Sequence, residues 1–227
     1  MTFNAKKEEI GELIQIGKKA VKFQNFLMKR AFGLFYGVWA VDLLIILVSQ
    51  QFLSSFLSSL LPYAGIITGL FVSQNVFRRS ITTTRYRYRI ERKQNSRKVQ
   101  IPGLIIKFLL ILTAIEIILD LLNYEGVFII SAYLSPLLFL TIVFLAALAS
   151  FFMSYSSLGR ITAENVIFSG SLLLAGILEL VVDSSRTLGT SYGFLLIVIW
   201  SLTVASWMVS SIISLYTSAE DLVVLDV

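Results

Sequence analysis

Five carboxylates stand at repeated places in the apolar stretches of this chain: Asp42, Glu116, Asp120, Glu179 and Asp183. Asp42, Glu116 and Glu179 each take the third place of a similar octet, AVDLLIIL, AIEIILDL and ILELVVDS. In the second and third octets another acid follows four residues on, at Asp120 and Asp183; Ile46 holds that place in the first. Residues four apart share a helix face. The faces extend as Trp39, Asp42, Ile46, Ser49; as Thr113, Glu116, Asp120, Asn123; and as Gly176, Glu179, Asp183, Arg186. An ionised side chain at bilayer depth costs about 2.5–3.5 kcal/mol on the lenient insertion scale, and such groups mark ion or substrate pathways. The chemistry on offer is therefore cation or proton binding at Asp42, Glu116, Asp120, Glu179 and Asp183. Arg186 stands three residues after Asp183 as an ion-pair partner. The competing reading has Asp120 and Asp183 solvated at an outer interface. In it, Asp42, Glu116 and Glu179 are protonated or hydrogen-bonded groups packed between helices.

Other chemistries find little support. The chain has no cysteine and no histidine. Disulfides, thiolate nucleophiles, intramembrane Ser–His chemistry and the commonest zinc ligand are absent with them. No G-x-x-x-x-G-K-[ST], G-x-G-x-x-G or H-E-x-x-H occurs. The expectation is a non-enzymatic protein with no cofactor and no metal centre.

The elements that must position the acids are membrane helices. The 227 residues are 56% hydrophobic and only 15% charged, with a mean hydropathy of +0.82. Soluble domains carry about 25% charged residues. Spans of about 20 apolar residues fit at 31–49, 60–77, 102–122, 127–153, 166–182 and 192–215. The fold class expected is all-α: a polytopic helical membrane bundle of six spans, arranged as three tandem hairpins. Pro62 and Pro102 suit first helical turns, and Pro136 should kink the fourth span. Residues 154–165 read as a polar connector, and 218–227 as an acidic tail. Three tandem hairpins are also the arrangement of mitochondrial carriers, which need a proline before each odd-span acid and a cation two places after it. Val41, Ile115 and Leu178 precede the acids here, so the chain is not assigned to that family.

Residues 1–30 read as an amphipathic interfacial helix. Ile10, Leu13, Ile14, Ile16, Gly17, Ala20, Val21, Phe23, Leu27 and Met28 lie on one side. Glu12, Gln15, Lys18, Lys19, Lys22, Asn25, Lys29 and Arg30 lie on the other, while Gln24 and Phe26 break the pattern. A basic polar face suits the headgroup layer; docking on protein is the alternative. No signal peptide is read at the N-terminus, whose first 30 residues are charged throughout. The loop 78–100 holds nine cations and one acid, including Arg85, Arg87 and Arg89 interleaved with tyrosines. Lys18, Lys19, Lys22, Arg85, Arg87 and Arg89 are the residues expected to meet anionic lipid headgroups, at about 1 kcal/mol per cation. Basic and aromatic residues together can also bind single-stranded nucleic acid, but a loop beside a membrane makes nucleic acid the less expected partner. Cations concentrate in 1–30 and 78–100, which places both termini in the cytoplasm.

Small residues recur at four-residue spacing in Gly33/Gly37, Gly65/Gly69/Ser73, Ala146/Ser150/Ser154 and Ser206/Ser210/Ser214. Such faces allow close helix contact, within the chain or in a homo- or hetero-oligomer. The function expected is binding or moving a cation, a proton included, between the odd spans. The alternative is an accessory or scaffold subunit of a membrane complex.

Overall fold

The computed structural model describes residues 3–49, 52, 55–82, 107–115, 117–119, 131–184 and 191–223. Without water, each backbone N–H and C=O must find its partner inside its own segment, so apolar runs of this kind fold as helices. The first two are α1, Phe3–Ser49, and α2, Ser55–Thr82. Helical residues 107–115 and 117–119 form α3. The remaining three are α4, Ser131–Leu158, α5, Ala163–Ser184, and α6, Ser191–Val223. No strand occurs among the described residues.

Among the described residues there are six helices, and four stretches are long and apolar enough to cross a membrane, fewer than the six spans expected. The four are Ile14–Ser49, Leu138–Tyr155, Ala163–Val182 and Gly193–Asp221; in α2 the described apolar run is the shorter Ala64–Ser73. Their outward faces are apolar. Val41, Leu44, Ile45 and Val48 on α1 and Phe194, Leu202, Val209 and Ile212 on α6 are all exposed. A water-facing surface would not carry such continuous stripes.

Several boundaries differ from the sequence expectation. The segments 1–30 and 31–49 are one uninterrupted helix of 47 residues, about 70 Å long at 1.5 Å per residue. No proline interrupts it, and Gly33 is retained for close packing rather than as a break. Pro62 lies inside α2 rather than in its first turn, because the connector is already helical from Ser55. The expected connector 154–165 shrinks to residues 159–162. There Gly159 adopts φ +71°, and its N–H bonds the Tyr155 carbonyl at 2.9 Å, a glycine stop at the end of α4. The last helix runs on to Val223, into the segment expected to be a tail. Pro136 falls near the start of α4, where side chains lie outside the described residues, as do the turn 123–126 and loop residues 83–100.

α1 is the organising element. It packs along α6 and on α2, and only lightly on α4; α6 packs on α5, and α5 on α4. The small faces make these approaches possible. A Cβ at Gly33 would come 2.8 Å from Leu215 Cγ, one at Gly37 3.0 Å from Ser211 Oγ, and one at Gly176 2.8 Å from Val143 Cγ1. Ser211 Oγ donates to the Gly33 carbonyl at 2.7 Å, and Ser214 Oγ to the Lys29 carbonyl at 2.8 Å. Ser150, Ser154, Ser210 and Ser214 are buried, so these faces are occupied within the chain. The core gathers Met28, Phe32, Tyr36 and Ala40 of α1 with Phe168, Val204 and Trp207.

Candidate functional site

The face Trp39, Asp42, Ile46 of α1 meets the glycine face of α2. A Cβ at Gly65 would lie 2.6 Å from Ile46 Cδ1 and 3.1 Å from Asp42 Oδ2. One at Gly69 would lie 3.1 Å from the Trp39 ring and 3.2 Å from Asp42 Oδ2. The glycines thus leave room for a carboxylate between two helices. Thr68 Oγ1 approaches Asp42 Oδ1 at 3.4 Å, but it also lies 3.0 Å and 2.9 Å from the Ala64 and Gly65 carbonyls. One hydroxyl proton serves all three, and the longest contact is the weakest.

Glu179 occupies the equivalent place on α5, and Trp200 Nε1 of α6 donates to its Oε2 at 3.1 Å. In both cases the carboxylate accepts from the next helix in the chain. Asp42 and Glu179 also open onto the same cavity, of about 580 Å³, lined by residues from α1 to α6. Its walls are otherwise aliphatic and aromatic except for Ser150, with Phe35, Trp39, Phe139, Phe168, Trp200 and Trp207 supplying rings. Trp39 Nε1 is buried without a partner.

The remaining acids of the expected site are not brought into view. Glu116, Asp120 and Arg186 lie outside the described residues, as do Arg85, Arg87 and Arg89; Asp183 is on α5, but its side chain is outside them too. Among the described residues no three acidic side chains gather as a metal-ligand set. Lys18, Lys19 and Lys22 are exposed on α1. Ile14, Ile16, Val21 and Phe23 around them are exposed as well, so this stretch does not dock on the described remainder of the chain.

Two polar clusters escaped the sequence reading. Lys29, expected on the polar face, is buried; its Nζ lies 2.7 Å from Asp221 Oδ2 and 3.4 Å from the Thr217 carbonyl. Thr217 Oγ1 in turn donates to Glu164 Oε1 at 3.2 Å. The signal was available as opposite charge, since Lys29 and the acids after Ser218 fall on one side of the expected topology. Deeper in the bundle, Asn165 is fully buried. Its Nδ2 donates to Ser150 Oγ at 2.8 Å and to Tyr36 Oη at 3.1 Å. Asn165 belongs to the stretch that reads as a polar connector, and nothing in its local sequence distinguishes it as buried.

No protein family, characterised protein or solved structure matches the chain.

Proposed function

We propose that the chain is a multi-pass membrane protein that binds or moves an organic cation, with Asp42 and Glu179 balancing the ligand's charge. The observation that carries this reading is that both carboxylates open onto one large, otherwise apolar cavity. A volume of this size falls in the range of small-molecule pockets, about 300–1,000 Å³. A proton needs no such space. Hard metal ions seek oxygen ligands and water, whereas most of this lining is aliphatic and aromatic. An organic cation can use both parts of the site, because ring faces attract cations and aliphatic walls take its hydrocarbon.

The test is binding of dodecyltrimethylammonium, against uncharged dodecanol, to purified protein in neutral-lipid nanodiscs. Asp42→Asn and Glu179→Gln keep an oxygen to accept from Thr68 and Trp200 while removing the charge. Each is expected to weaken the cation by about 10- to 100-fold, from the 1.5–3 kcal/mol of a charged contact, and to leave dodecanol unchanged. Parent-like cation binding in both variants, at parent-like thermal stability, would defeat the proposal.

A second reading, a scaffold subunit without a ligand of its own, is favoured by a different observation. Both carboxylates already accept hydrogen bonds inside the chain. That reading expects no saturable binding, and both variants to lose stability or behave as the parent.

A further inference from the structure

The buried polar group at Tyr36, Ser150 and Asn165 stands apart from the two carboxylates and is not complete in itself. Tyr36 of α1, Ser150 of α4 and Asn165 of α5 are all buried, so three helices meet on one amide. The orientation of that amide is fixed by its surroundings. Its nitrogen faces the Ser150 carbonyl at 3.3 Å, Ser150 Oγ at 2.8 Å and Tyr36 Oη at 3.1 Å. A carbonyl only accepts, so the amide atom before it is the donor. Both protons of Nδ2 are engaged there. Oδ1 lies on the other side of the amide, is an acceptor only, and has no protein partner.

Ser169 stands four residues on, one turn along the same face of α5. It too is fully buried, and its Oγ has no protein partner. Serines of α6 settle their hydroxyls on the carbonyl one turn back, Ser206 on Leu202 and Ser210 on Ser206, each at 2.9 Å. Ser169 makes no such bond. Two neighbouring polar atoms are thus out of reach of bulk water and of every described protein group, which is costly in a low-dielectric interior. Side chains four apart on a helix have Cβ atoms about 5–6 Å apart. Two hydrogen bonds of about 2.8 Å laid end to end span that distance.

We infer that the bundle holds an internal water between Asn165 Oδ1 and Ser169 Oγ. The bridging molecule must donate to Oδ1, and it must be small, since both side chains are wholly enclosed. Water meets both conditions, and Ser169, able to donate or accept, takes its second bond. Buried waters serve such groups with about two to four bonds each. Through the Asn165 amide this water is tied to Ser150, whose residue lines the cavity. It therefore steadies the contact that joins α1, α4 and α5 beside the cavity wall, whatever ligand the cavity takes.

The experiment is magnetic resonance on full-length protein in nanodiscs, with isotopically labelled asparagine. Magnetisation started on water should reach the Asn165 side-chain amide, identified by its loss in Asn165→Asp. Ser169→Ala removes one of the water's two anchors and should cut that transfer at least about twofold. Thermal unfolding gives a second reading, with Ser206→Ala as the reference because its hydroxyl is already satisfied by its own helix. Ser169→Ala should melt about 2–4 °C below that reference, the shift of one hydrogen bond in a chain of this length. In a dry site the substitution would instead remove an unsatisfied hydroxyl, and Ser169→Ala would melt above Ser206→Ala; that result overturns the inference. Lower melting without transfer from water would mean a direct bond between Ser169 and Asn165, and would overturn it as well. Transfer unchanged in Ser169→Ala would put the water on the Ser150 side, in the cavity, and remove it from this site.

Discussion

Lys29 of α1 and Asp221 of α6 are joined across the bundle, Nζ to Oδ2 at 2.7 Å. The contact ties the chain's first and last described helices together near one end. Asp221 Oδ2 meets Nζ off the hydrogen-bonding direction, so the attraction is that of an ion pair. The two partners are unequally solvated, 11% exposed for the Lys29 side chain and 30% for Asp221.

That inequality sets the first prediction. Asp221→Ala strands a nearly buried ammonium with one long contact to the Thr217 carbonyl, and should cost about 1–3 kcal/mol. Lys29→Met keeps the packed stem and leaves a carboxylate that is partly exposed, though its Oδ2 is buried, so it should cost less than Asp221→Ala. The double variant should resemble Lys29→Met alone. Thermal unfolding of the three variants in one detergent gives the cycle; additive losses would mean that the pair does not couple.

The second prediction separates glycines that look alike in sequence. Gly33 meets Leu215 at its Cγ and also at its backbone N, 3.2 Å from an added Cβ. Backbone cannot rotate away, so Gly33→Ala should push α6 from α1 and cost about 1–3 kcal/mol. At Gly65 the nearest atom is Ile46 Cδ1, the end of a flexible side chain, and the cost should be smaller. Gly170 has nothing within 4 Å, and Gly170→Ala should stabilise by up to about 1 kcal/mol through helix propensity. Melting temperatures in the order Gly170→Ala, Gly65→Ala, Gly33→Ala, highest first, are the expected result.

These same residues show what was legible in the sequence. Long apolar runs force helices, and glycine at four-residue spacing marks a close approach; both signals are local, and both were readable. The facing of Asp42 onto Gly65 and Gly69 joins two faces already visible separately, though not the fact that they meet. Lys29 and Asn165 were misplaced for one reason. Polarity predicts solvent, whereas a buried polar side chain is decided by a partner far along the chain, Asp221 for one and Tyr36 for the other. Helix ends failed similarly, because Ser154, Tyr155 and Ser156 read as loop but continue α4 until Gly159 supplies the positive φ that stops it. The pairing of Asp42 with Glu179 on one cavity depends on α1 and α5 enclosing common space, which no spacing within either helix encodes.

The third prediction concerns which way the bundle faces. Cations concentrate before Ala31 and between residues 78 and 100, while the stretches after the first and third helices have none and that after the fifth has only Arg186. A membrane protein retains such cations on the cytoplasmic side. The chain contains no cysteine, so each introduced one is the sole thiol and its labelling is unambiguous. Ser55→Cys, Asn123→Cys and Thr187→Cys should react with an impermeant thiol reagent added to intact cells. Asn95→Cys and Ser156→Cys should react only after the membrane is opened. The Lys29–Asp221 pair then lies at the cytoplasmic side, and Asp42 and Glu179 face the outer half of the bilayer. On this orientation an organic cation would reach the carboxylates from outside. Labelling with the opposite sidedness would invert that route. Labelling of both sets from one side would break the expected six-span topology.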